Sequence, residues 1–251
     1  RSVDLCFLLT QKHRICSRII KITMFRICLF AILLAGLFGC NNSDPAENTE
    51  IIENLDEEGL LVEKYSRLKD NYAKHGLYQA FFPNGTVMIE ANYENDTLVG
   101  ERKMYYENGT IQIIERYTNG EFIGKYESFY ENGQLEIVGD YVNNAMNGEW
   151  KRYYDTGELM ETVYFKNNNE NGPFKEYYKN GNLQAEGEYL NGEFEHGLLK
   201  EYNEAGDLTS QKQCYQGICQ TIWTIEDGDL EFDEVAFKEK VERMKAIENA
   251  Q

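Results

Sequence analysis

The sequence predicts an all-β protein, an elongated antiparallel β-meander of six hairpin repeats of about 24 residues that ends in a short C-terminal capping α-helix. Two glycines, nine residues apart, recur in phase through six copies, and such a pattern indicates a repeat architecture. The first glycines are Gly76, Gly100, Gly124, Gly148, Gly172 and Gly197, and the second glycines are Gly85, Gly109, Gly133, Gly157, Gly181 and Gly206. Two aromatic residues usually precede the second glycine, as Tyr153 and Tyr154 do.

Two turns divide each repeat into two strands. An Asn-Gly pair, as at Asn84-Gly85, joins the strands of most repeats and favours a hairpin because both residues tolerate positive φ. A second turn made of Asn, Asp or Gly, as at Asn143-Asn144, leads into the next repeat. One turn about every 12 residues predicts a meander of successive hairpins.

The strand residues alternate with a period of two. In the fifth repeat, Leu183, Ala185, Gly187 and Tyr189 occupy every second position, which is typical of a strand. Equivalent residues of successive repeats are similar, so neighbouring strands would place like side chains in ladders. We therefore interpret most of the tyrosines as packing residues, which leaves few for a binding face.

The repeat unit resembles a known family. The segment from Gly148 to Gly157 reads Gly-Glu-Trp-Lys-Arg-Tyr-Tyr-Asp-Thr-Gly and is similar to a MORN (membrane occupation and recognition nexus) repeat in its bacterial variant form. The resemblance covers about Gly76 to Gly217 and implies an elongated antiparallel sheet of hairpins. It does not imply one function, because the repeat serves many proteins as a scaffold. A degenerate earlier strand is expected from Leu60 to Arg67.

Residues 1–39 are predicted to be a precursor segment with a secretory signal. Met24 opens a stretch whose apolar run, Ile27 to Phe38, is too short for a comfortable transmembrane helix. The following Leu37-Phe38-Gly39-Cys40 resembles the bacterial lipoprotein cleavage box. The alternatives are a short membrane anchor that stays uncleaved and a buried strand.

On this interpretation Cys40 carries the lipid and attaches the protein to a bacterial cell envelope. Residues 1–23 are expected to precede the true start of translation, since the first printed residue is not methionine. Asn41 after the cysteine favours the outer membrane.

The chain after Cys40 divides into three parts. Residues 40–58 are polar and acidic and are expected to tether the domain, with one short helix around Ile51, Ile52 and Leu55. The repeat sheet is predicted for residues 59–232, and a helix for residues 233–251.

The C-terminal helix is predicted from its cap and its apolar stripe. Asp233 can accept a hydrogen bond from an unpaired backbone N–H at the helix start. Phe237, Val241 and Met244 follow at helical spacing. The helix would either cap the open end of the sheet or dock onto a partner.

Cys214 and Cys219 flank a turn at Gln216-Gly217 and are expected to face each other across a hairpin. Three states stay open at this point: a structural disulfide, two free thiols, and a redox or metal-binding role. An envelope compartment permits the bond.

No catalytic constellation is evident, and we expect neither enzymatic activity nor a cofactor or metal. His75 and His196 lie five repeats apart, which argues against one shared site. The segment Glu226 to Asp229 lacks the spacing of a calcium loop and is interpreted as a turn. No Gly-rich phosphate loop or nucleophile motif is present.

The net charge of −18 opposes nucleic acid and anionic lipid headgroups as partners. It suits solubility or a basic protein partner. The favoured hypothesis is therefore a lipid-anchored scaffold or protein-binding module. The resemblance implies a rival, because bacterial proteins of this variant resemble the antitoxin component of toxin–antitoxin modules. Exposed aromatic ladders that bind glycans are a third, weaker alternative.

Overall fold

A computed structural model describes residues 48–192 and 194–248, which form an antiparallel β-sheet followed by an α-helix. The predicted precursor and Cys40 lie outside the described residues. The strands are β1 (Thr49–Leu55), β2 (Leu61–Leu68), β3 (Lys74–Phe81), β4 (Val87–Glu94), β5 (Thr97–Tyr105), β6 (Ile111–Thr118), β7 (Glu121–Phe122), β8 (Gly124–Phe129), β9 (Leu135–Val142), β10 (Ala145–Tyr153), β11 (Leu159–Lys166), β12 (Asn169–Tyr177), β13 (Leu183–Tyr189), β14 (Glu195–Tyr202), β15 (Leu208–Tyr215), β16 (Ile218–Thr224) and β17 (Gly228–Asp229), and the helix is α1 (Glu234–Glu248).

The strands follow one another across the sheet in chain order, each antiparallel to its neighbour. The short β7 and the longer β8 both pair with β6 and act as one interrupted strand. Within residues 48–192 and 194–248, no pairing joins β1 to β17, so the sheet is open. The predicted antiparallel meander with a C-terminal helix is confirmed.

The turn inside each repeat differs in geometry from the prediction. The amide of Gly85 donates to the carbonyl oxygen of Phe82 at 2.8 Å, and Gly85, at φ 83°, is the one residue of the Asn84-Gly85 pair with positive φ. Such a loop ends in a glycine bulge. Asn84 acts instead through its side chain, whose Oδ1 accepts a hydrogen bond from the Thr86 amide at 2.9 Å. The expectation that both residues of this pair use positive φ is therefore wrong.

The turn between repeats does use positive φ at both central residues. Asn143 and Asn144 have φ values of 50° and 64°, and Asn191 and Gly192 have 57° and 91°. Two-residue turns of this kind match the right-handed twist of paired strands, so they set the register from one repeat to the next.

The first glycine of each repeat lies at a β-bulge. Against β9, the register of β10 moves from Asn147–Asp140 to Lys151–Val138, so β10 carries two extra residues around Gly148. Gly148 has φ 78°, and all twelve repeat glycines have positive φ. The recurrent glycines thus hold backbone geometry that other residues adopt only with strain.

The sheet has two chemically different faces. Successive side chains of a strand alternate between faces, so Trp150 lies on one face of β10 and Lys151 on the other. We name the Trp150 side the aromatic face and the Lys151 side the charged face. Cross-strand pairs on the aromatic face are Tyr78–Ala91, Arg102–Glu115, Tyr126–Gly139, Trp150–Val163, Phe174–Gly187 and Leu199–Lys212.

The sheet begins earlier than predicted. Thr49–Leu55 forms β1 rather than a short helix in a tether, so the predicted helix around Ile51, Ile52 and Leu55 is wrong. β-branched side chains fit a strand, and the ion pair Glu53–Lys64 links β1 to β2 at 2.7 Å. The degenerate strand expected from Leu60 to Arg67 is confirmed as β2.

The helix α1 begins as predicted. Oδ1 of Asp233 accepts hydrogen bonds from the amides of Val235 and Ala236, both at 3.0 Å. Phe237 and Val241 are buried, but Met244 is 40% exposed, so the buried stripe is shorter than predicted. The helix contacts the last hairpin through side chains of β15 and its turn.

Candidate binding surface on the aromatic face

Four tyrosines connect neighbouring repeats through their hydroxyl groups. Each donates a hydrogen bond of 2.8 Å to a backbone carbonyl oxygen one repeat further on: Tyr106 to Phe129, Tyr130 to Tyr153, Tyr154 to Tyr177 and Tyr178 to Tyr202. Because both atoms of each bond are used in the fold, these tyrosines are structural rather than free for a ligand. The interpretation of repeat tyrosines as packing residues agrees with this arrangement.

A pocket of about 480 Å³ opens on the aromatic face between β8 and β12. Its lining residues are Tyr126, Ile137, Tyr141, Met146, Trp150, Lys151, Arg152, Glu161, Val163, Phe165 and Glu170. Aromatic rings thus meet charged side chains in one concavity. An apolar concavity with a few polar groups is the usual form of a ligand site.

Trp150 packs among aromatic rings in this pocket and is 7% exposed. Its ring centroid lies 5.3 Å from that of Tyr141 and 5.9 Å from that of Phe165, both edge-to-face. Gly139 makes room for it, because a Cβ there would lie 2.1 Å from Cδ2 of Trp150. Within the described part of the chain, Nε1 of Trp150 has no hydrogen-bond partner. A buried donor without a partner is uncommon and calls for an explanation.

Two carboxylates face each other beside the pocket. Glu161 on β11 and Glu176 on β12 are direct cross-strand partners on the aromatic face. Burial, together with the negative charges of Glu161, Glu195 and Glu201, raises the pKa of Glu176 above its usual range. Like charges directly opposite on a sheet are destabilising. The local field is therefore strongly negative.

Tyr189 on β13 lies close to the same carboxylates, and they affect the pKa of its hydroxyl. Burial raises the pKa of its hydroxyl, and the carboxylates of Glu170, Glu195, Glu176 and Glu161 raise it further. Its ring stacks on Phe174 at a centroid distance of 4.4 Å. Aromatic surface and negative charge are thus combined over β11 to β14.

On the charged face, several carboxylates have cations of the same chain beside them. Glu127 is paired with Lys125 at 2.8 Å and with Arg116 at 3.0 Å. Although burial acts to raise the pKa of Glu127, hydrogen bonds from these two cations hold it below its usual range. Neutralised carboxylates of this kind leave little net charge for a partner.

Cys214 and Cys219 are direct partners across β15 and β16, with Cα atoms 4.0 Å apart, and the structure joins them in a disulfide. Cys214 is 1% exposed. Among the residues that the structure describes, no group of three or more metal-ligating side chains is clustered.

His75 and His196 lie on β3 and β14, far apart in the sheet order, and are not brought into one site. His196 lies near the ring of Tyr215, at a centroid distance of 5.8 Å. Neither histidine belongs to the pocket of Trp150.

Sequence reasoning missed this pocket, although a signal for it exists. The same strand position is Ile89, Ile113 and Ile137 in the first three repeats and becomes Glu161 in the fourth. A carboxylate that replaces an apolar residue at one repeat position marks a change of chemistry on that face. The cross-strand partner Glu176 could not be found in this way, because pairing between repeats depends on the bulge.

These repeated hairpins define an open β-sheet repeat protein with one aromatic face. Five segments, residues 74–95, 98–119, 123–143, 146–167 and 170–191, match the family described as MORN repeat variant. This part of the chain is therefore similar to an array of MORN repeats. The sixth predicted repeat lies outside the matched segments, but β14 and β15 form the equivalent hairpin.

A search of curated proteins found no match. Two similar solved structures are described as the crystal structure of TcdB2-TccC3-TEV and the Tc holotoxin pore of Photorhabdus luminescens with the TccC3-D651A mutation. They are 12% and 10% identical to this chain, with TM-scores of 0.22 and 0.21. In both cases the match covers 66% of this chain and 12% of the other.

None of the helices in the described residues has both the length and the apolar character that a membrane crossing requires.

Proposed function

We propose that this chain is a non-enzymatic protein-binding module, in which the MORN-repeat sheet presents its aromatic face to a partner. The observation that carries the proposal is the pocket of Trp150, which is bordered by a buried indole N–H and by Glu161, whose cross-strand partner is Glu176. Repeat sheets offer extended surfaces that suit binding of other proteins. The net charge of −18 favours a basic partner.

The proposal includes lipid anchoring at Cys40 in a bacterial envelope. The repeats themselves would not attach the protein to the membrane, because an acidic surface is repelled by anionic headgroups. Intact-mass measurement of the native protein tests the anchor, since lipid on Cys40 adds acyl mass and cleavage removes residues 1–39. The Cys40→Ser variant should then move to the soluble fraction. An unmodified mass, or a lipid-free protein in the cytosol, would remove the anchor from the proposal.

An antitoxin or immunity protein is the second candidate, and the strong acidity favours it. An acidic protein can neutralise a basic toxin quickly, since complementary charge speeds the encounter. The two candidates differ in partner number. A toxin should be one basic protein encoded beside this chain and bound in a near-equal amount.

Affinity capture of the native protein from crosslinked cells, read by mass spectrometry, tests binding itself. Recovery of one basic protein supports the antitoxin role, and recovery of several envelope proteins supports the scaffold. A sample with no enriched protein would contradict both.

A further inference from the structure

We propose that the pocket of Trp150 and the adjoining Glu161–Glu176 pair bind a lysine- or arginine-bearing extended segment of a partner protein. This inference rests on the proposed function and specifies the place and chemistry of the contact. The backbone of the segment would accept a hydrogen bond from the indole once the pocket side chains move to expose Nε1, and its cation would lie against the carboxylates.

The first support is the indole N–H. Trp150 is 7% exposed, borders the pocket, and has no hydrogen-bond acceptor for Nε1 among the described residues. An unpaired buried donor costs about 1–3 kcal/mol. A backbone carbonyl from an extended segment is a suitable acceptor, because every residue of such a segment carries one.

The second support is the carboxylate pair. Glu161 and Glu176 are cross-strand partners, and although Arg152 lies across the sheet from Glu161, no cation lies directly across from Glu176. On the charged face, by contrast, Glu186 is paired with Lys200 at 3.3 Å. A cation placed between Glu161 and Glu176 would relieve their mutual repulsion.

The third support is a cation–π contact that the chain itself forms in another repeat. Nζ of Lys74 lies over the rings of Tyr78 and Tyr93, at 4.5 Å and 5.6 Å from their centroids. Tyr78 and Tyr93 correspond in the repeat to Trp150 and Phe165. The aromatic positions of this sheet therefore accept an ammonium group in the first repeat.

In the fourth repeat, the position of Lys74 is taken by Met146, which lines the pocket and carries no charge. The rings of Trp150 and Phe165 thus lack the cation that the chain itself supplies to Tyr78 and Tyr93. A cation from a partner would complete the equivalent contact.

Arg152 limits how much positive charge a ligand of this site can carry. It is the cross-strand partner of Glu161 on the side away from Glu176, so the row reads positive, negative, negative. Lys151 borders the pocket as well but is paired with Glu149 at 2.8 Å. The site therefore suits one cationic side chain rather than a dense cluster of them.

The test uses the full chain in detergent and a fluorescent peptide amide with one lysine flanked by glycine and serine residues, with binding measured by fluorescence anisotropy at low salt. The pocket variant is Glu161→Gln/Glu176→Gln. The matched control is Asp140→Asn/Glu188→Gln, which removes the same charge from exposed residues of the charged face. Trp150→Phe, which keeps a ring but removes the N–H, is the third variant.

The pocket variant should bind the peptide about tenfold more weakly, whereas the control should change the Kd by less than about twofold. Trp150→Phe should weaken binding, and its melting temperature should fall as well because the smaller ring loses packing. Equal weakening by both double variants would show a response to net charge alone and overturn the proposal, as would no binding of the peptide.

Capture of a partner from cells tests the proposed site and the proposed binding function separately. If the pocket variant captures it as well as the unmodified chain does, the site is wrong and the binding function stands. If neither protein captures a partner, the proposed function itself fails.

Discussion

The hydroxyl of Tyr154 donates a hydrogen bond of 2.8 Å to the carbonyl oxygen of Tyr177, one repeat further along the chain. The same bond recurs in four successive repeats. These four repeats are therefore each tied to the next by a side chain as well as by the strand ladder. In a linear array such contacts between neighbours contribute directly to stability.

Tyr154→Phe should lower the free energy of unfolding by about 1 kcal/mol, because it removes one hydrogen bond and leaves a carbonyl without its partner. Urea unfolding followed by circular dichroism measures the change. Tyr164→Phe is the control, since Tyr164 is 39% exposed on the charged face. Equal effects of the two changes would contradict a structural role for the Tyr154 hydroxyl.

Gly139→Ala should destabilise the fold by about 2 kcal/mol or more, because the added Cβ would overlap the ring of Trp150. Gly148→Ala is the informative comparison. A Cβ at Gly148 meets no atom within 4 Å, so the cost there comes from φ alone and should be about 1 kcal/mol. A ranking in the opposite order would mean that Trp150 readily moves away.

Arg102 and Glu115 form an ion pair of 2.7 Å on the aromatic face, at the position that Tyr78 and Ala91 occupy in the first repeat. Glu115→Ala should cost about 2 kcal/mol, because it leaves a partly buried guanidinium uncompensated. Arg102→Tyr/Glu115→Ala copies the Tyr78–Ala91 pair of the first repeat and should recover most of the loss. Thermal melts of both variants check this, and no recovery in the double variant would refute it.

Glu176→Gln should raise the melting temperature at neutral pH. A carboxyl with a raised folded-state pKa is ionised at a cost above that pKa, so the neutral amide is favoured there. As the pH falls through the pKa of Glu176, the native carboxyl becomes protonated and the advantage of the variant should vanish. Melts across the acidic range measure the difference, and a difference that grows at low pH would have the wrong sign.

Cys214 and Cys219 should resist thiol labelling until the protein is reduced and unfolded. A disulfide across so short a loop should stabilise the fold by about 2 kcal/mol. Mass spectrometry after labelling counts the free thiols, and Cys214→Ala/Cys219→Ala measures the stability. Labelling of both cysteines in the unreduced, denatured protein would show that they are free.

Local chemistry explains which expectations agree with the structure. Positive φ at Gly148 and the cap at Asp233 depend on residues close in sequence, so the sequence alone predicts both features. The strand at Ile51 and Ile52 was missed because an acidic, weakly alternating segment becomes a strand only by pairing with β2. Tertiary pairing overrides local propensity in such a segment.

The sequence by itself determined the repeat, its two turns and the antiparallel meander, because glycine and asparagine specify turn geometry within a few residues. Only the tertiary structure decided which side chains meet. A bulge beside Gly172 sets the register between β11 and β12, and that register places Glu161 opposite Glu176. Alternation then decides the face, since a shift of one residue between β11 and β12 would turn Glu176 away from the face that holds Glu161 and Trp150.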